Sequence, residues 1–154
     1  MPPLKGDPNQ HTPSILGDTL IGTCLCGSIC VTIRDPSLWT KCLGHLCHCA
    51  NCRKVSGSYV TSNLNIKEAT IHIDDLHRVL KMYIDLDTMS GREVGRYFCS
   101  NCEFSIKLMT VLSPGRVILK MGLSRGFCRL KWRLLLCIGI RRRGGMGVLC
   151  AVAG

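Results

Sequence analysis

Seven cysteines of this chain fall into three short clusters. Cys24-Leu25-Cys26 is a CxC, Cys47-His48-Cys49-Ala50-Asn51-Cys52 is a CxCxxC, and Cys99-Ser100-Asn101-Cys102 is a CxxC. These spacings suit metal binding. Zn²⁺ takes thiolates at about 2.3 Å in a tetrahedron. A CxxC turn lets two sulfurs converge on one ion. A CxC on extended chain does the same, because residues i and i+2 point to one side.

Counting ligands divides the clusters. Cys24, Cys26, Cys99 and Cys102 make a closed set of four, the number a structural zinc requires. The two halves lie about 75 residues apart, so a shared ion would tie the start of the fold to its end. In small modules such an ion contributes on the order of 10 kcal/mol to folding. Cys47, Cys49 and Cys52 make a set of three and leave one position open, the layout of a catalytic zinc. Three thiolates on a divalent ion leave a net charge of −1. That makes a poor Lewis acid, better suited to holding an incoming thiol as thiolate. A wholly structural alternative closes the second site with His48, His45 or Cys42. His48 is flanked by two ligands and would strain to point the same way. The lone Cys30, Cys42, Cys128, Cys137 and Cys150 read as small hydrophobes, and His11, His72 and His77 as surface residues.

The elements that must position these clusters are short strands. Alternation and turn residues predict strands over 19–24, 28–33, 59–66, 69–73, 80–86, 92–98, 104–111 and 117–121. The cysteine-dense 47–54 reads as a turn or one helical turn. Ser113-Pro114-Gly115-Arg116 reads as a hairpin turn. The expected fold is all-β, of antiparallel sheets, with one short cysteine-rich turn or helical segment.

The chain has 154 residues, 46% hydrophobic but only 5% aromatic. That is one domain with tails and a thin core, which metal would reinforce. No apolar h-region opens the chain and no run of about 18 apolar residues occurs. The cysteines are therefore expected in a reducing compartment, the cytoplasm, with the nucleus also open. There, clustered cysteines read as metal ligands before disulfides.

Net charge is +10, but residues 1–121 carry 13 basic and all 10 acidic residues, and residues 122–154 carry 7 basic and none acidic. The sequence divides into a Pro-rich leader (1–17), a domain (18–123) and a basic, apolar tail (124–154). The tail admits three readings: a membrane-surface arm, a nucleic-acid arm, or an artefact of the gene model, which its skewed composition favours.

The motifs resemble those of glutathione-dependent formaldehyde-activating enzymes and centromere protein V, across roughly residues 18–123. Gly22-Thr23-Cys24-Leu25-Cys26-Gly27-Ser28-Ile29 is similar to that family's opening GxCxCGxV. Residues 47–58 are similar to its CHCxxCRKxxGS, and Tyr97-Phe98-Cys99-Ser100-Asn101-Cys102 to its RxFCxxC. The resemblance implies a β-tent of antiparallel sheets with two zincs, divided as above. It also implies a carbon–sulfur lyase that reversibly joins formaldehyde to glutathione as S-hydroxymethylglutathione. Cys47, Cys49 and Cys52 would hold the catalytic zinc, and Arg53 and Lys54 could attract glutathione carboxylates. No residue is assigned to the proton that reaches the alkoxide.

The sequence departs from the family where Glu103-Phe104 replace a usual Gly-Ser. If the turn needs a positive φ, Glu103 costs on the order of 1 kcal/mol. From residue 122 the pattern is also lost. The alternative function is a zinc-stabilised binding module for nucleic acid, microtubules or another protein, with nucleic acid reached only through the basic tail.

Overall fold

The computed structural model describes residues 19–38, 40–41 and 43–123. The leader, the tail and Cys42 lie outside these residues, and so do the three readings of the tail. Nine strands and one short helix follow in order: β1 (Thr19–Thr23), β2 (Cys30–Arg34), β3 (Gly44–Cys47), α1 (Ala50–Ser56), β4 (Thr61–Lys67), β5 (Ile71–Asp74), β6 (Leu80–Asp85), β7 (Val94–Cys99), β8 (Ser105–Thr110) and β9 (Arg116–Lys120). They form a three-stranded sheet, β1-β2-β5, and a six-stranded sheet, β3-β4-β9-β8-β7-β6. Every pairing is antiparallel. The all-β class expected from alternation is the observed one.

The two faces of the large sheet differ in chemistry. Leu64 and Ile66 on β4 and Val117 and Leu119 on β9 point to one side and are fully buried. Leu20, Val31 and Ile33 of the small sheet join them in one core, closed by Ile29, Leu38 and Leu123. Burying each such side chain contributes roughly 1.5–3 kcal/mol. The alternate positions carry Thr61, Asn63 and Asn65 on β4, Ile118 and Lys120 on β9, and His45 and Cys47 on β3. The register sets His45 opposite Asn63, and Asn63 opposite Lys120. This second face carries the polar site.

Gly22 explains one contact between elements. A Cβ there would sit 2.6 Å from the Leu123 carbonyl oxygen, so only glycine lets β1 pass against the turn that follows β9.

The expectation for 80–86 needs one correction. Alternation marked Leu80, Met82, Ile84 and Leu86 as the inward set. Met82, Ile84 and Leu86 are exposed, and the buried residue is Asp85. β6 is an edge strand, and its inward position is set by an ion pair with β7.

Candidate metal centres

The first centre is built from two similar turns. After β1, Gly27 N–H donates to the Cys24 carbonyl at 3.0 Å, and Ile29 N–H donates to Cys24 Sγ at 3.3 Å. After β7, Glu103 N–H donates to the Cys99 carbonyl at 2.8 Å. In each turn the residue after the second cysteine is left-handed: Gly27 at φ 76° and Glu103 at φ 59°. The conformation that made Glu103 a departure is thus the one it adopts. Asn101 Nδ2 donates to Ser28 Oγ at 3.4 Å and joins the two turns.

The four sulfurs of Cys24, Cys26, Cys99 and Cys102 all lie within 4.8 Å of one another. Cys24 Sγ is 3.5 Å from Cys26 Sγ, which is 3.7 Å from Cys99 Sγ. A zinc tetrahedron places its sulfurs about 3.8 Å apart, so this set fits one ion. Cys24 and Cys99 are fully buried. Burial pushes the Cys24 thiol up to about 12, whereas the Ser28 hydroxyl and backbone N–H bring Cys26 down to about 6. A metal must displace the buried proton but finds one ligand already poised as thiolate.

The second centre lies on the polar face of the large sheet. Cys47 ends β3, Cys49 is the N-cap of α1, and Cys52 is buried in the helix's first turn. Their three sulfurs also lie within 4.8 Å of one another, with Cys47 Sγ 3.4 Å from Cys49 Sγ. Cys52 N–H donates to Cys49 Sγ at 3.4 Å, so one side chain serves as both cap and ligand. Hydrogen bonding to Cys47 and then burial push the Cys52 thiol up. Among the described residues no histidine joins this set. His48 is exposed, and His45 turns its Nε2 toward Asn63 Nδ2 at 3.4 Å. Cys42, the third alternative, lies outside the described residues.

The rest of the CxCxxC segment anchors the helix. Asn51 Nδ2 donates to both Asp85 carboxylate oxygens, at 3.1 and 2.9 Å. Asp85 in turn pairs with Arg96, whose Nη2 lies 2.6 Å and Nε 2.7 Å from Oδ2. Burial opposes ionisation of Asp85, but the hydrogen bonds from Arg96 and Asn51 outweigh it and hold the carboxyl below its ordinary range. Arg96 Nη1 also reaches to 4.0 Å from Cys52 Sγ. Thr61 Oγ1 donates to the Cys52 carbonyl at 2.8 Å, and Gly57 closes the helix at φ 60°.

A cavity of about 250 Å³ opens over the three cysteines. Its walls include Leu108, Ile118 and Val94, and its polar lining includes Asn51, Arg96 and His45. Arg53 and Lys54 are exposed on α1 and are not part of this lining. The sequence motifs assign no role to Asn51, Asp85, Arg96, Asn63 or Lys120. The only signals for them were an aspartate ending an alternating strand and a lysine ending the apolar run Val117-Ile118-Leu119.

A family model described as glutathione-dependent formaldehyde-activating enzyme matches residues 19–132. The crystal structure of a Rhodobacter sphaeroides protein superposes with a TM-score of 0.52 at 16% identity, covering 70% of this chain and 89% of that one. At that identity the likeness bears on the fold alone. No curated protein matches the sequence significantly.

Proposed function

The chain belongs to the family of glutathione-dependent formaldehyde-activating enzymes, and we propose that it is a zinc-dependent carbon–sulfur lyase acting on S-hydroxymethylglutathione or a related thiol adduct. In the joining direction a carbon–sulfur bond forms, the carbonyl π bond of formaldehyde breaks, and the thiol proton ends on the new hydroxyl. The observation that carries this reading is the set of three cysteine sulfurs converging beneath an open cavity. Cys47, Cys49 and Cys52 would hold a zinc with three protein ligands, and such an ion would stabilise an incoming thiol as thiolate. The second zinc would sit at Cys24, Cys26, Cys99 and Cys102 and hold the fold.

The chain's own residues supply the remaining requirements. Asn51, Asp85 and Arg96 fix α1 and with it Cys49 and Cys52. Leu108 and Ile118 give the cavity an apolar wall. Arg53 and Lys54, exposed beside Cys52, would meet the carboxylates of glutathione outside the cavity. Cys24, Cys26, Cys30, Cys49, Cys52, Cys99 and Cys102 are free thiols, which suits a reducing compartment such as the cytoplasm. Among the described residues no helix is long and apolar enough to cross a membrane.

The test is adduct formation from glutathione and formaldehyde by zinc-loaded protein, with the spontaneous rate subtracted. Acceleration that is lost in Cys49→Ser is expected. A wild type that adds nothing to the spontaneous rate would overturn the reading.

A further inference from the structure

Among the described residues two cations, Arg96 and Lys120, are buried on the cavity face of the large sheet, and one of the two has a carboxylate. Arg96 is matched by Asp85. Lys120 is buried as deeply, and among the described residues no carboxylate lies within ion-pair distance of it. Its Nζ donates to Asn63 Oδ1 at 3.1 Å, and Asn63 Nδ2 lies 3.4 Å from His45 Nε2. These three side chains stand in register across β9, β4 and β3, one strand row from the Cys47 end of β3. An ammonium buried with neutral partners alone is costly. The sulfurs of Cys52, Cys47 and Cys49 act on Lys120 against the effect of its burial, while the Arg96 charge acts in the same direction as burial.

The charge count gives this lysine a task. Three thiolates and a divalent ion sum to −1. A neutral fourth ligand leaves that sum unchanged, whereas a thiolate takes it to −2 beside the apolar Leu108 and Ile118. Arg96 is shared between Asp85 and Cys52 Sγ, 4.0 Å away, which leaves Lys120 as the buried cation on this face, among the described residues, with no carboxylate of its own. We propose that Lys120 is the counter-charge of the three-cysteine centre and biases its open position toward an anionic sulfur ligand over a neutral donor. The inference rests on the proposed function only in taking this centre to be metal-loaded. It does not require turnover of formaldehyde. Lys120 is a positioning residue in this account, acting through the field at the centre.

The experiment uses full-length protein loaded with Co²⁺, whose thiolate charge-transfer and ligand-field bands report the ligand at the open position. Two probes are titrated: 2-mercaptoethanol, which binds as thiolate and has no carboxylate, and imidazole, which binds neutral. Lys120→Gln keeps a donor for Asn63 and removes the charge. It should weaken 2-mercaptoethanol on the order of ten- to a hundred-fold and leave imidazole within about twofold. Lys120→Arg should restore most of the thiolate affinity. Lys107→Met is the control, because Lys107 is buried on the opposite face, 4.6 Å from the Tyr97 ring centre, and should change neither ligand.

Equal weakening of both probes by Lys120→Gln, no weakening of either, or the same selectivity loss in Lys107→Met would overturn the proposal. So would a wild type that binds no thiolate. If Lys120→Gln does not fold, failure of Lys120→Arg to hold the wild-type preference for thiolate over imidazole overturns it on its own. Lys120-dependent selectivity without any adduct formation would sink the lyase reading and leave this one standing. Adduct formation without that selectivity would do the reverse.

Discussion

The same element, cysteine, is used in two regions of this molecule for opposite ends. Cys24, Cys26, Cys99 and Cys102 sit where the chain's first strand meets its seventh, with Cys24 and Cys99 wholly inside the core. Their four sulfurs lie within 4.8 Å of one another and would fill the coordination of a tetrahedral ion, with no position left for a substrate. Cys47, Cys49 and Cys52 sit on the other face of the large sheet, under a cavity, with three sulfurs and two buried cations beside them. What separates the two is not the spacing of the cysteines. It is the number of sulfurs and the surroundings: four sulfurs rooted in the core in one case, three under an open cavity beside buried charges in the other.

The comparison is broken most severely by removing one ligand from each side. Cys24→Ser leaves a buried hydroxyl and an incomplete tetrahedron, and should prevent folding or cost more than about 4 kcal/mol in thermal or urea denaturation. Cys49→Ser should retain the fold, because serine is itself a good N-cap, while losing one metal ion per chain and the activity. Equal destabilisation by the two substitutions would erase the distinction.

Next in size is the anchor beneath the open centre. Asp85→Asn leaves Arg96 charged, buried and unpaired, and should cost about 3–5 kcal/mol at neutral pH. The folded Asp85 carboxyl is held below its unfolded value of 3.8. Its contribution is therefore complete above that value and disappears as pH falls through the lower folded one. The stability gap between Asp85→Asn and wild type should thus be flat from pH 8 to about 5 and close below about 3.8. A gap already closed near pH 6 would refute the assignment.

The smallest effect concerns the two similar turns. Gly27 and Glu103 hold equivalent left-handed positions, but only glycine does so without strain. Glu103→Gly should raise stability by about 0.5–1 kcal/mol, the relief of the strained φ less the greater entropy glycine gives the unfolded chain. A decrease in melting temperature would mean that the Glu103 side chain makes a stabilising contact.

Much of this was legible in the sequence because it is local. Alternation over 117–121 and 92–98 reports strands, and a cysteine pair reports a turn that can hold metal. Glycine's usual place after the second cysteine flagged Glu103 before its φ was known. Strand β3 escaped because Gly44-His45-Leu46-Cys47 has no alternation of its own and exists through its pairing with β4. Asp85, Arg96, Asn63 and Lys120 escaped for a related reason. A charged residue in a strand reads as solvent-facing, and its burial is decided by strands distant in sequence. The apolar stripe of β6 misled in the opposite sense, since edge position overrode its pattern.

The central claim is that two cysteine sets hold two ions in different roles. Metal content per chain, measured by elemental analysis on protein purified without added metal, tests it most directly, with Cys49→Ser alongside. The account predicts about two zincs for the wild type and about one for a folded Cys49→Ser. A wild type with one zinc or none, or a Cys49→Ser that loses both together with its fold, would contradict it.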